Sequence, residues 1–388
     1  MNTVYLDNAA TSFPKPPAVG ARMKQYLDSV GATVGRSVYG AAQEAGLVQL
    51  TLRERLARLF SHPDPAYVVL TPGNTYGLNQ VIAGFLRPGD HCLVSAMEHN
   101  AVMRPLLAMG IDFDRIPCDE AGRMAPSDIL PLLRPNTRLL VMAHGSNVSG
   151  TVQDAQAVGE ICRANGVAFC LDAAQTAGHL PVDFKAFGLS ALSVPGHKGL
   201  LGPSGIGALL LDKAFAKALR PLTCGGTGSA SDREEQPDYM PDRLESGTPN
   251  VPGIYGLDAA LAFLEEVGVE AVATHDRVMS RRFLTGIADI ANVRLLGPET
   301  EDGRVSVFSL DFLQGDNAEI ATRLEREFGI MTRCGLHCAP AAHRALGTFP
   351  QGTVRFSAGW FTTEAEIDAA LAAIGQVAAD LSSDQRNK

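Results

Sequence analysis

The chain has 388 residues, 46% hydrophobic and 19% charged, enough to bury one large core and a smaller second one. A formal net charge of -9 leaves no basic stripe for nucleic-acid phosphates or an anionic membrane surface, and no apolar run is long enough to cross a bilayer. The seven cysteines, an odd number without metal-ligand spacing, fit reduced thiols in the cytoplasm and point to no metal site.

The opening residues Met1–Asp7 have no basic stretch followed by an apolar one, so no secretory signal is expected. From Tyr67 to Asp212, short apolar runs alternate with amphipathic stretches. The runs Tyr67–Leu70, His91–Ser95, Asp112–Ile116, Arg138–Ala143, Val167–Asp172, Ala191–Val194 and Ile206–Leu211 read as strands. Gly73–Phe85 and Asp154–Asn165 read as helices between them. This alternation predicts an α/β domain with a mostly parallel seven-stranded sheet, whose ligands gather at the carboxyl ends of its strands. Thr71, His99, His144 and Asp172 fall at or just after such ends. Leu222–Thr248 is polar and glycine-rich and reads as a long functional loop. A helix over Ile254–Val267 follows, then a strand near Val305–Asp311, a helix near Asn317–Phe328, a strand near Thr353–Ser357 and a helix near Glu364–Leu381. The expected division is a large domain over residues 13–255 and a smaller α+β domain over 256–388, joined by segment 1–12. The polar tail Ser382–Lys388 is expected to fray.

Several side chains carry chemistry. Lys198 sits among small residues in Ser193-Val194-Pro195-Gly196-His197-Lys198-Gly199. It reads either as a buried amine able to form a Schiff base or as a surface lysine in a turn. Asp172 ends a strand 26 residues earlier and can hold a protonated ring nitrogen or cap a helix with Gln175. Thr71-Pro72-Gly73-Asn74-Thr75 follows a strand and opens a helix, which suits a phosphate or is an ordinary cap. His99 can stack on a flat ring or bond structurally, and His144 and Asn147 stand under the same alternatives. Cys338 lies in Arg333-Cys334-Gly335-Leu336-His337-Cys338-Ala339-Pro340. Cationic neighbours, here Arg333 and His337, favour thiolate; the alternative is an inert cysteine. Arg355 ends a strand and can clamp a carboxylate through two parallel hydrogen bonds, or stay solvated.

The strings Asp7-Asn8-Ala9-Ala10-Thr11, Asp172-Ala173-Ala174-Gln175, Gly196-His197-Lys198, Gly202-Pro203-Ser204-Gly205-Ile206-Gly207 and Glu245-Ser246-Gly247-Thr248-Pro249-Asn250 resemble the class V aminotransferase family. With the Cys338 loop added, the chain is similar to the cysteine desulfurases and selenocysteine lyases, nearest the SufS-like branch. The resemblance implies a fold-type I, pyridoxal-phosphate-dependent transferase architecture with pyridoxal 5'-phosphate anchored on Lys198. It implies that Asp172 holds the ring nitrogen, Gln175 the ring hydroxyl, and Asn74, Thr75 and His197 the phosphate. His99 would stack on the ring, Asn147 orient the substrate, Arg333 and Arg355 bind it, and Cys338 accept its sulfur. Thr248 would reach the phosphate of a second copy, which implies a homodimer with shared sites. The implied activity converts L-cysteine to L-alanine and leaves sulfur on Cys338, for delivery to an acceptor protein. A selenocysteine lyase acting on L-selenocysteine is the alternative, followed by a transaminase and by a non-catalytic sulfur-relay scaffold. Three positions depart from the family pattern: Pro195 for a phosphate-binding hydroxyl residue, Cys334 for threonine, and Thr362 in Phe361-Thr362-Thr363 for asparagine. Cys334 would resolve a sulfur adduct, pair with Cys338, or play no special part, the last being preferred.

Overall fold

A computed structural model describes residues 3–35 and 37–386, with side chains as far as residue 382. The chain opens with β1 (Val4–Tyr5) and then builds one sheet from β2 (Val68–Thr71), β3 (His91–Ser95), β4 (Asp112–Ile116), β5 (Thr137–Ala143), β6 (Ala168–Asp172), β7 (Ala191–Pro195) and β8 (Gly207–Leu211). The strand order is β2-β8-β7-β6-β5-β3-β4. Only β8 runs against its neighbours; every other pairing in this sheet is parallel.

The apolar runs are strands because both faces of the sheet are covered. Leu93, Leu140, Met142, Leu171, Leu192 and Leu210 point into one core. Their immediate neighbours Cys92, Val94, Leu139, Val141, Cys170, Leu209 and Leu211 point into the other. That two-residue alternation, apolar on each side, is the pattern of a parallel sheet sandwiched between helices. Helices Gly40–Leu59 and Val251–Val267 close the first face through Leu52, Leu56, Leu257 and Leu261. Helices Asn74–Phe85 and Asn100–Ala108 close the second through Leu78, Ile82, Val102 and Leu106.

A separate core lies under a second sheet. Here β9 (Val293–Leu295), β10 (Val307–Phe312), β12 (Arg333–Gly335) and β13 (Thr353–Ser357) are antiparallel in the order β12-β13-β10-β9, while β11 (Ile330–Met331) pairs in parallel with β1. Phe283 of helix Val269–Ile287 stacks on Phe308 at 4.2 Å between ring centroids and meets Phe356. Helices Asn317–Phe328 and Glu364–Arg386 add Ile320, Leu324, Ile367 and Ile374. Each such fully buried side chain contributes roughly 1.5–3 kcal/mol.

Some boundaries differ from those read in the sequence. The strand expected at Val305–Asp311 starts at Val307, because Val305 donates to Gly150 outside the ladder. The helix expected from Ile254 begins at Val251, where Asn250 accepts from the Gly253 amide as its cap. The polar tail continues the last helix to Arg386 rather than fraying from Ser382, whose hydroxyl donates back to the Ala378 carbonyl; Asn387 and Lys388 lie outside the described residues.

Candidate active site

A cavity of about 840 Å3 opens at the carboxyl ends of the parallel strands. Asn74, Thr75, His99, Asn147, Asp172, Gln175, His197 and Lys198, dispersed along the sequence, all line it. Parallel strands deliver their following turns to one edge, so the convergence follows from the topology.

Lys198 sits in the turn after β7, half-buried. Burial pushes its amine down to about 8, against the pull of Asp172 and with help from Arg355 and Arg333. A useful share of it is therefore neutral near physiological pH. Asp172 ends β6 and is buried. Its Oδ1 accepts from Asn74 Nδ2 at 2.8 Å and from the Ala174 amide at 2.9 Å. Those bonds leave Oδ2 unused. No helix follows Asp172, so its capping bond closes a turn rather than starting a helix.

His99 caps helix Asn100–Ala108, with Nδ1 accepting from the Ala101 amide at 3.0 Å. That bond assigns the ring proton to Nε2. Burial lowers its pKa, so the ring is neutral. His197 is likewise pushed down to about 4, first by burial and then by the charges of Lys198 and Lys15. At the start of helix Asn74–Phe85, Asn74 Oδ1 is buried without a hydrogen-bond partner, as is His197 Nδ1. Gln175 Nε2 donates to the Ala9 carbonyl at 3.1 Å. Pro195 is the last residue of β7, lines the cavity and offers no donor.

The remaining expected residues lie beside this cavity rather than in its lining. Arg355 on β13 is 1% exposed and donates to the Asn147 carbonyl at 3.1 Å and to Asp7 Oδ1 at 2.7 Å. Its Nε is buried and unpartnered. Asn147 connects the two regions: its side chain lines the cavity and also donates to the His337 carbonyl at 2.7 Å. Arg333 Nη2 lies 3.4 Å from Cys338 Sγ. Cys338 is exposed, in a turn where His337 and Cys338 both take left-handed φ values of 48° and 59°.

His337 is not the cation expected beside that thiol. Its Nε2 faces Thr353 Oγ1 at 3.0 Å, its ring packs on His343, and burial drives it down to about 2. Among the described residues, Arg333 supplies the positive charge in contact with Cys338. Cys334 sits between Arg333 and Gly335 in β12 and, by strand alternation, points to the opposite face from Arg333. His144 is structural: it is buried, pushed down to about 4, and bonded to Thr176 Oγ1 at 2.9 Å. Thr248 lines a neighbouring cavity of about 580 Å3, which shares Pro72, Tyr76 and Gly205 with the first. Thr362 accepts from the Gly359 amide and lines neither cavity.

Sequence reasoning passed over Ser204, which lines the Lys198 cavity, and the ion pair between Asp7 and Arg355. The glycine-flanked Ser204 and the strand-following Asp7 carried signals, since both stood in strings already singled out. Among the described residues, no cluster of side chains is arranged to hold a metal ion, and no helix is long and apolar enough to cross a membrane.

The profile of the family described as Aminotransferase class-V matches residues 4–370. A probable cysteine desulfurase of Methanothermobacter thermautotrophicus is 32% identical over 94% of this chain and 92% of its own length. The Escherichia coli cysteine desulfurase CsdA is 32% identical over 96% of this chain and 93% of its own. Among solved structures, the apo cysteine desulfurase of Thermococcus onnurineus superposes with a TM-score of 0.90 at 28% identity, covering 97% of this chain and 95% of that one. The S-sulfonic acid form of CsdA gives 0.86 at 29%, covering 98% and 95%. The chain belongs to the class V aminotransferase family.

Proposed function

We propose that the protein is a pyridoxal-phosphate-dependent cysteine desulfurase that converts L-cysteine to L-alanine and retains the sulfur on Cys338. The observation that carries this reading is the juxtaposition of two different reactive groups. A lysine of lowered pKa shares a cavity with a buried carboxylate, and an exposed thiol held by Arg333 is linked to that cavity through Asn147 and His337. A transaminase needs the first group and has no use for the second.

The residues present fit the cofactor. Asp172 has a carboxylate oxygen free of the bonds to Asn74 and Ala174, suited to a protonated ring nitrogen. His197 Nδ1 is a buried ring nitrogen with no partner in the protein, and the helix that opens at Asn74 has amides that suit a phosphate. Neutral His99 offers a flat face, and Gln175 an amide. Bound there, pyridoxal phosphate would supply an electron sink for the charge left when the substrate loses its Cα proton.

The chain's own groups do the rest. Arg355 has five N–H donors and uses one on Asp7 and one on Asn147, so a fork remains for the substrate carboxylate. The neutral Lys198 amine takes the Cα proton at Nζ and returns it. Cys338 Sγ, beside Arg333, attacks the substrate sulfur. The Sγ–S bond forms as the Cβ–S bond breaks, and the electron pair left on carbon is protonated, giving alanine and a persulfide. Pro195 removes one phosphate donor from the cradle, which leaves Asn74, Thr75, His197 and Ser204 to fill it. A homodimer belongs to the same proposal, with Thr248 in the neighbouring cavity serving the second copy. A sulfur-acceptor protein would collect from the exposed Cys338.

The test is a paired assay. Cofactor-loaded protein given L-cysteine should release alanine and gain the mass of one sulfur atom on Cys338. Cys338→Ala should lose the mass gain and the turnover. Turnover confined to L-selenocysteine would replace this reading with a selenocysteine lyase, and conversion of L-cysteine to its 2-oxo acid, undiminished in Cys338→Ala, would replace it with a transaminase.

A further inference from the structure

The N-terminal segment makes contacts that the catalytic scheme does not use. At one end, Asp7 Oδ1 holds Arg355 Nη2 at 2.7 Å, and the backbone of Asp7 bridges to Ser357. Two residues on, the Ala9 amide donates to Ser357 Oγ at 2.9 Å and its carbonyl accepts from Gln175. At the other end, donors converge on the main chain of the lysine turn. The Ser12 amide and Thr11 Oγ1 reach the His197 carbonyl at 3.0 and 3.1 Å. Lys15 Nζ reaches the same oxygen at 2.7 Å and Ser12 Oγ at 2.7 Å. Accepting from Lys15 frees the Ser12 hydroxyl to donate to the Lys198 carbonyl at 3.0 Å.

This is more than a terminus needs in order to be tied down. A carbonyl has two lone pairs, and the His197 oxygen has donors from three residues within reach. Lys15 is half-buried, makes no ion pair among the described residues, and sets its Nζ against that oxygen and Ser12 Oγ. Asp7, in turn, is the only carboxylate paired with Arg355 among the described residues. One short stretch of chain thus touches Arg355, Gln175, His197 and Lys198 directly.

We propose that Asp7–Lys15 is a positioning strap that couples Arg355 to Lys198, with Asp7 and Lys15 as its positioning residues. Asp7 fixes the plane of the guanidinium so that its unused donors meet a substrate carboxylate. Lys15 fixes the peptide before Lys198, and with it the place from which the amine works. Movement of either end is transmitted through backbone that is hydrogen-bonded along its length. The substrate named in the test rests on the desulfurase reading; the strap itself does not.

The experiment uses cofactor-loaded full-length protein carrying Lys15→Met, Lys15→Arg, Asp7→Asn and the double variant Asp7→Asn/Lys15→Met. The first readout is the pH midpoint of the absorption band of the lysine-bound cofactor. The second is equilibrium binding of L-alanine, which has a carboxylate and no sulfur. The third is kcat and KM for L-cysteine. Lys15→Met should shift the midpoint and lower kcat with KM little changed, and Lys15→Arg should restore both. Asp7→Asn should weaken L-alanine binding and raise KM by roughly tenfold, the loss of one charge-assisted hydrogen bond. The double variant should depart from the product of the singles, because coupled groups are not additive. An unshifted midpoint in Lys15→Met, tighter L-alanine binding in Asp7→Asn, or strict multiplication of the two effects would each overturn the strap. If Lys15→Met does not fold, Ser12→Ala, which keeps its backbone donor, takes its place with the same expectation. Failure to release alanine from L-cysteine would sink the desulfurase reading and leave the spectral and L-alanine arms to judge the strap.

Discussion

Glu98 offers the sharpest test of how the site is built. It directly precedes His99, is 0% exposed, and bridges two strand ends: Oε1 accepts from Ser95 Oγ at 2.5 Å and from the Ala143 amide at 2.9 Å. Oε2 is buried without a partner. Burial pushes the carboxyl up to about 8 from an ordinary 4.5, with Asp172 adding to the shift. The folded protein therefore holds a proton on Glu98 at neutral pH that the unfolded chain releases. Between pH 4.5 and 8 the native state binds more protons than the unfolded one, so this group's contribution to stability falls as pH rises. At pH 7 the penalty is about 3 kcal/mol, from 1.36 kcal/mol for each pH unit above the unfolded value. Glu98→Gln mimics the protonated form and cannot ionise, at the cost of one extra unpartnered amide hydrogen. The quantity to follow is thus the pH dependence of the difference between variant and parent, not its value at one pH. Melting of the cofactor-free proteins from pH 5 to pH 9 should show the variant gaining on the parent by roughly 4 °C by pH 7, with the gain levelling off above pH 8. A difference in melting temperature that stays flat across this range would refute the argument that Glu98 is buried neutral.

Three other outcomes follow from the same geometry. Because neutral Lys198 is the reactive form and its amine sits near 8, loading of the cofactor-free protein with pyridoxal phosphate, followed by absorbance, should speed up about tenfold per pH unit below 8 and plateau above it. Arg355→Lys keeps the charge but not the fork, so KM for L-cysteine should rise roughly 10- to 100-fold in steady-state assays while the cofactor absorption is kept. A Cβ on Gly199 would collide with the Ala177 carbonyl and the His179 ring, so Gly199→Ala should destabilise the protein by about 3 kcal/mol in denaturant unfolding and weaken cofactor retention.

The large sheet was legible in the sequence for a simple reason. Strands such as Ala191–Pro195 and Gly207–Leu211 are buried along their whole length, and continuous apolar runs between turn residues announce that. The site was legible through the same logic, since Asp172, His99 and Asn147 follow strand ends that the topology must bring together. The second sheet was harder to read. β9, β11 and β12 have two or three residues each, too few for any periodicity, and β1 finds its partner more than three hundred residues away. His337 misled because nearness in sequence says nothing about direction. A left-handed turn sends its ring toward Thr353 while its neighbour Cys338 faces solvent. The pairing of Asp7 with Arg355 spans nearly the whole chain, and no local pattern encodes it.

The turn that carries Cys338 has one more implication. On either side of the exposed thiol stand two buried anchors, His337 bonded to Thr353 and Ala339 packed in a small core with Met97 and Leu296. The backbone at 338 is held by its neighbours, and its carbonyl is fixed by the Asn100 amide. The side chain at that position contributes almost nothing to holding the fold. Position 338 therefore works like an exchangeable tool bit in a rigid chuck. Thiol, hydroxyl or selenol can be mounted there without renegotiating either core, which leaves evolution, or an engineer, free to change the chemistry of the carrier while the socket stays as it is.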